Sequence, residues 1–206
     1  DPSMKKNILG ILGLFIFIFI FTAMSSEPFL SAYNMQNLIK WSSLYAIMGI
    51  GVAFVIITGG IDLSIGSVIG LIASLMALAI KKGWDPNFAV VMLLGLSLGI
   101  GLIHGLLITK VKLQPFVVTL CGLLVYRGIS RWMTDNQTMQ YPGTDKLDSL
   151  FSGKVLMGSF GLPAPLFFLI VVAILAAIFL NRTIWGRYLF ALGNNEDGAR
   201  YSGIET

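Results

Sequence analysis

The stretch Thr58-Gly-Gly-Ile-Asp62-Leu-Ser64-Ile-Gly66-Ser67 holds the residues best placed to do chemistry. Gly59 and Gly60 together allow a sharp backbone reversal, and Asp62 and Ser64 are residue types that cap a restarting helix. An ionisable side chain inside an apolar segment is costly and marks a functional position by default. Asp62 therefore has two compatible readings, as an acceptor for backbone N–H groups at a helix start and as a hydrogen-bonding group on a polar path. His104, the only histidine, is either a contact on that path or a hydrogen-bonded packing residue. Bond-making chemistry is not expected, because no second acid, histidine pair or nucleophile–base arrangement accompanies Asp62. With one histidine and one cysteine, no zinc cluster of recognisable spacing can be assembled, and neither metal nor cofactor is expected. Gly193 to Gly198 has the glycine spacing of a phosphate-binding loop, but Ala199 follows where that loop needs lysine.

The elements that must hold these residues are apolar helices. Of 206 residues, 56% are hydrophobic and only 12% charged, against roughly 25% charged in soluble domains. Runs at 8–24, 42–58, 63–80, 88–108, 115–129 and 163–180 predict an all-α, polytopic integral membrane bundle of about six spans. The second and third runs are short and are separated by Gly59-Gly60-Ile61-Asp62, the pattern of a broken helix hairpin whose irregular backbone is kept within protein. The first run is read as an uncleaved span, because no small-x-small cleavage pattern closes it, and Asp1 to Ser3 ahead of Met4 as a processing remnant. Residues 28–41 read as an interfacial segment. Gly95-x-x-x-Gly99 and Gly101-x-x-x-Gly105 mark the fourth run as interior to the bundle. Cys121 reads as a small buried hydrophobe, and Arg127 as a side chain that snorkels to the interface. Trp41, Trp84, Trp132 and Trp185 read as interfacial anchors. The net charge of +4 is spread between the apolar runs, which argues against nucleic-acid binding. Basic residues near span ends divide evenly between the two sides, so they fix no orientation.

The Gly-Ile-Asp-Leu-Ser-x-Gly-Ser sequence from Gly60 to Ser67 resembles the permease subunits of ATP-binding-cassette importers for simple sugars, of the ribose, galactose and xylose type. Two further stretches match in the same order: Gln114-Pro-Phe-Val-Val-Thr119-Leu with Arg127-Gly128, and Gly186-Arg-Tyr-Leu-Phe-Ala-Leu-Gly193-Asn-Asn195-Glu196 running on to Arg200-Tyr-Ser-Gly203-Ile204. The resemblance covers the chain from Phe29 onward but only about the first two thirds of such a permease, which implies a fragment or a gene split in two. It implies a single, partial permease domain over 1–206, with 131–161 an external loop and 181–206 a cytoplasmic coupling region. Gly186, Arg187, Asn195, Glu196, Asp197, Arg200 and Gly203 would carry the coupling helix that engages a separate ATPase. Local chemistry agrees, since Asn194 or Asn195 suits an N-cap, Glu196 and Asp197 suit a helix start, and Gly203 suits a C-terminal cap. The chain departs from the family at Asn194, where glycine is usual, and at Asp197 and Gly198, where alanines are usual, which weakens so short a helix.

The resemblance further implies a multi-pass protein of the bacterial cytoplasmic (inner) membrane, with the N-terminus and 181–206 inside. Its partners would be the lipid bilayer, an ATPase subunit, an extracytoplasmic sugar-binding protein and a second permease copy, identical or not. Gly59, Gly60, Asp62, Ser64 and His104 would line the path or form its helix break. Asp135, Asp145, Lys146, Asp148 and Lys154 would either meet the binding protein or form a plain solvated loop. Two alternatives stay open: a branched-chain amino acid permease of the same superfamily, whose zwitterionic ligand should require more ionisable groups in the spans, and a self-contained secondary transporter using the Gly-Gly-x-Asp break as its ion site.

Overall fold

A computed structural model describes residues 2–139, 154–155 and 161–204. In chain order the helices are α1 (Pro2–Ser25), a 3-10 turn (Glu27–Leu30), α2 (Ala32–Ile57), α3 (Ile65–Lys81), α4 (Pro86–Thr109), α5 (Pro115–Met133), α6 (Ala164–Arg182), α7 (Ile184–Asn194) and α8 (Glu196–Tyr201). Among the described residues one two-residue antiparallel pair, β1 (Lys154–Val155) with β2 (Leu162–Pro163), lies shortly before α6. Five helices among the described residues, α1, α2, α4, α5 and α6, are long and apolar enough to cross a membrane, and α3 is a 17-residue apolar helix. The protein is a multi-pass helical membrane protein.

The helix starts follow side-chain chemistry. Asp85 Oδ1 accepts from the N–H groups of Asn87 (2.9 Å) and Phe88 (3.0 Å) ahead of Pro86 at the first position of α4. Pro115 opens α5, at a position whose N–H would have no intrahelical partner. The segment 28–41, expected to be interfacial, is helical over most of its length, and α2 starts earlier than expected. Ser31 Oγ accepts from Asn34 N–H at 3.3 Å and starts α2 ten residues before the expected 42. At 26 residues the helix is about 39 Å long, more than the ~30 Å hydrocarbon core, so its polar first turns extend past the lipid tails. Helix α5 also outruns its expected end at 129, reaching Met133 and taking Arg131 inside the helix.

Packing is organised around two nuclei. Helix α3 packs on α5 and α4, and α2 packs on α6 and α7. The buried apolar side chains are few and small, with Leu71, Ala77, Ala89, Ile100 and Val118 in the first group. Most Leu, Ile and Phe side chains face outward, as a lipid solvent permits. Two expectations fail here. Cys121 is exposed on α5 rather than buried. The glycine face of α4 is also not interior among the described residues, since a Cβ at Gly95, Gly99, Gly101 or Gly105 would meet nothing within 4 Å. All four tryptophans are exposed. Of the expected external loop 131–161, Asp145, Lys146 and Asp148 lie outside the described residues. So does the Lys154 side chain, whereas Asp135 closes α5 in a left-handed turn with Asn136.

Candidate functional site

The break between α2 and α3 is built by glycine and aspartate together. Gly59 takes φ +77°, Gly60 N–H donates to Val55 O at 3.0 Å and Gly59 N–H donates to Ile56 O at 2.9 Å. This is a left-handed terminator that satisfies the last carbonyls of α2. The backbone then runs without helix from Gly60 to Ser64. Asp62 Oδ1 accepts from both Ser64 N–H and Ser64 Oγ at 2.7 Å each, so it fixes the residue before α3 rather than capping the helix directly. Ser64, only 1% exposed, returns its carbonyl to Ser67 and Val68 N–H and to Ser67 Oγ. Thr119 Oγ1, buried on α5, lies 2.9 Å from Pro115 O and 3.3 Å from Ile61 O, which ties α5 to the break.

His104 reaches the same region from α4. Its Nε2 lies 2.9 Å from Tyr126 Oη, and it rests on Gly122, where an added Cβ would stand 2.8 Å from the imidazole. Tyr126 and Gly122 were not anticipated from sequence. The available signal was their i, i+4 spacing on α5, which sets the run's only tyrosine and a glycine on one face.

Asp62 and His104 both line two cavities. One, of about 750 Å³, opens between α3 and α4 and is mostly apolar, with Ser64 and Ser97 among its polar lining. The other, of about 650 Å³, is bounded by Thr58 to Asp62, His104 and Thr119, and by Leu192 and Glu196 from the C-terminal segment. Gly59, Gly60, Asp62, Ser64 and His104 are therefore brought to one end of the bundle around shared space. Cavities walled by helix and broken backbone, with carboxylate, imidazole and hydroxyl groups at one end, suit a small uncharged solute held by hydrogen bonds. Among the described residues no three His, Cys, Asp or Glu side chains cluster as a metal site.

The C-terminal residues form a second group. Thr183 Oγ1 accepts from Gly186 N–H at 3.1 Å to start α7. Gly186 is buried where a Cβ would overlap the Leu180 carbonyl, so α7 folds back tightly on α6. Asn195 caps α8, its Oδ1 accepting from Gly198 N–H at 2.9 Å. Gly203, at φ +82°, ends the helix as Ile204 N–H donates to Ala199 O at 3.1 Å. Arg187, Glu196, Asp197 and Arg200 are exposed on this segment. Gly193 makes a contact that joins the two groups: a Cβ there would overlap the Ile57 carbonyl at the end of α2.

The chain is similar to the ribose import permease protein of Bacillus subtilis, 34% identical over 206 residues, covering all of this chain and 62% of that protein. It is 32% identical over 195 residues to the ribose import permease protein of Escherichia coli K12, covering 95% of this chain and 60% of the relative. It is 33% identical over 194 residues to the D-allose transport system permease protein of the same organism, covering 93% and 58%. The chain thus spans about three fifths of the length of these relatives. No solved structure matches it. The family model described as branched-chain amino acid transport system / permease component matches residues 34–206, and with most of the chain inside that match, the protein belongs to this permease family.

Proposed function

We propose that the chain forms part of the membrane-spanning subunit of an ATP-driven importer and that the region around the α2–α3 break lines the path of a monosaccharide such as ribose. The observation that carries this reading is the shared cavity in which Leu192 and Glu196 of the C-terminal segment meet Gly59, Gly60, Asp62 and His104. Force applied to α7 and α8 would reach the break through this contact. The names of the ribose and allose relatives support the substrate class. Energy comes from a separate ATP-binding-cassette ATPase gripping the segment from Gly186 to Gly203. An extracytoplasmic binding protein delivers the sugar, and a second permease copy, identical or not, completes the enclosure. In this reading the N-terminus and 181–206 face the cytoplasm of a bacterium and the end of α5 faces outside.

The test is uptake of labelled D-ribose into sealed membrane vesicles holding the chain with its ATPase and binding protein. ATP-dependent uptake supports the proposal. Uptake driven by a proton or sodium gradient without ATP would replace it with a secondary transporter. The family description keeps a branched-chain amino acid permease as the second reading, and competition by leucine but not ribose in the same vesicles would select it.

A further inference from the structure

A third cavity, of about 500 Å³, lies between α3 and α5, apart from the space around His104. Gly66, Ser67 and Gly70 form its α3 wall, and Arg127, Ser130 and Arg131 its α5 wall. Neither guanidinium makes an ion pair or hydrogen bond among the described residues. Both arginines are exposed at this end of α5, and Arg127 stands six residues before Met133, about 9 Å along the helix. The hydroxyls around it are already engaged. Ser67 Oγ donates to Ser64 O at 2.7 Å, and Ser74 Oγ, 2.8 Å from Ser130 Oγ, donates to Gly70 O at 2.8 Å. The free donors of the cleft are thus the two planar guanidinium forks, facing a wall without side chains at Gly66 and Gly70, where added Cβ atoms would meet nothing within 4 Å. A fork with parallel N–H groups fits two oxygen acceptors held side by side.

We infer that the α3/α5 cleft is a sugar-contact site on the outer approach to the break, where Arg127 grips two adjacent hydroxyl oxygens. The inference rests on the sugar-import reading and adds a residue that reading leaves idle. Arg131, one turn nearer the end of α5, keeps the entrance electropositive and rich in donors.

The test compares Arg127→Lys with wild type in the complete importer, using D-ribose, 2-deoxy-D-ribose and 3-deoxy-D-ribose as separate substrates. Between them, the two deoxy sugars break every adjacent hydroxyl pair of the ring. Lysine keeps the charge but loses the fork. The expected result is a KM for ribose raised about tenfold, the scale of a hydrogen bond to a charged group, with that penalty absent for at least one deoxy sugar. An equal penalty for all three sugars, or none for any, would overturn the inference by reducing Arg127 to a structural charge. So would inhibition of wild-type uptake by inorganic phosphate that Arg127→Lys relieves, because the cleft would then be an oxyanion site. If wild type imports none of the three, the sugar-import reading fails instead, and the two failures are distinguished.

Discussion

Gly193 lies on the Ile57 carbonyl so closely that a methyl group on its Cα would overlap it. Ile57 is the last residue of α2, and the chain reverses at Gly59 two residues later. The end of α7 therefore touches the membrane bundle where its backbone leaves the helix. Gly193→Ala must displace α7 or unseat the end of α2, at about 1–3 kcal/mol for an overpacked contact. Thermal unfolding of the purified chain is expected to shift down for Gly193→Ala. It should stay level or rise for Gly13→Ala in α1, where added bulk meets nothing within 4 Å and helix propensity improves. In the whole importer Gly193→Ala is expected to cut uptake more than ATP hydrolysis.

Asp62 is a second test, because its position needs an acceptor while its proposed role on the path uses the whole carboxylate. Asp62→Asn keeps an Oδ1 acceptor for the two Ser64 bonds. Asp62→Ala removes it and leaves the Ser64 N–H and hydroxyl without their partner, at about 1–3 kcal/mol. Unfolding in detergent is expected to rank wild type close to Asn and both well above Ala. Uptake should fall for both variants. Asn retaining full uptake would confine Asp62 to holding the turn.

How much of this was legible in the sequence depends on the range of each interaction. The break at Gly59 to Asp62, a cap at Asn194 or Asn195 and the Gly203 terminator were readable because each is settled within a few residues by φ and by hydrogen bonds to near neighbours. The start of α2 was misplaced because hydropathy gives no credit to Ser31 as a cap, nor to a helix continuing past the lipid. Gly122, Tyr126 and Gly193 act across 18 residues or more, on His104 and on Ile57. Spacing along one helix names a face but not its neighbour. The glycines of α4 show the converse, a face legible in sequence with no neighbour among the described residues.

The His104–Tyr126 pair can be isolated by a mutant cycle. Tyr126→Phe removes one partner of the 2.9 Å contact and His104→Ala the other. If the contact alone joins them, the double variant should be less destabilised than the sum of the singles by about 0.5–1.5 kcal/mol. Gly122→Ala tests the same geometry from below. Its Cβ would stand 2.8 Å from the imidazole, so His104 must swing off Tyr126, and combining Gly122→Ala with Tyr126→Phe is expected to add little to Gly122→Ala alone. Additive losses throughout would show that the ring and the hydroxyl act independently.

The C-terminal segment is tested at its cap. Helix α8 is only six residues long and contains Gly198, so propensity does little for it. It depends on Asn195 at one end and the Gly203 turn at the other. Asn195→Ala leaves the Gly198 N–H without its acceptor and is expected to cost about 0.5–2 kcal/mol, enough to melt so short a helix, whereas Asn195→Ser retains an acceptor oxygen. Hydrogen exchange at Ala199 and Ser202, whose N–H groups donate to Asn195 O and Gly198 O, should speed up in the alanine variant and remain near wild type with serine. If α8 is the part an ATPase grips, co-purification of the ATPase should follow the same order, and be lost in Glu196→Lys and Gly186→Trp. Faster exchange with undiminished co-purification would place the grip elsewhere in the chain.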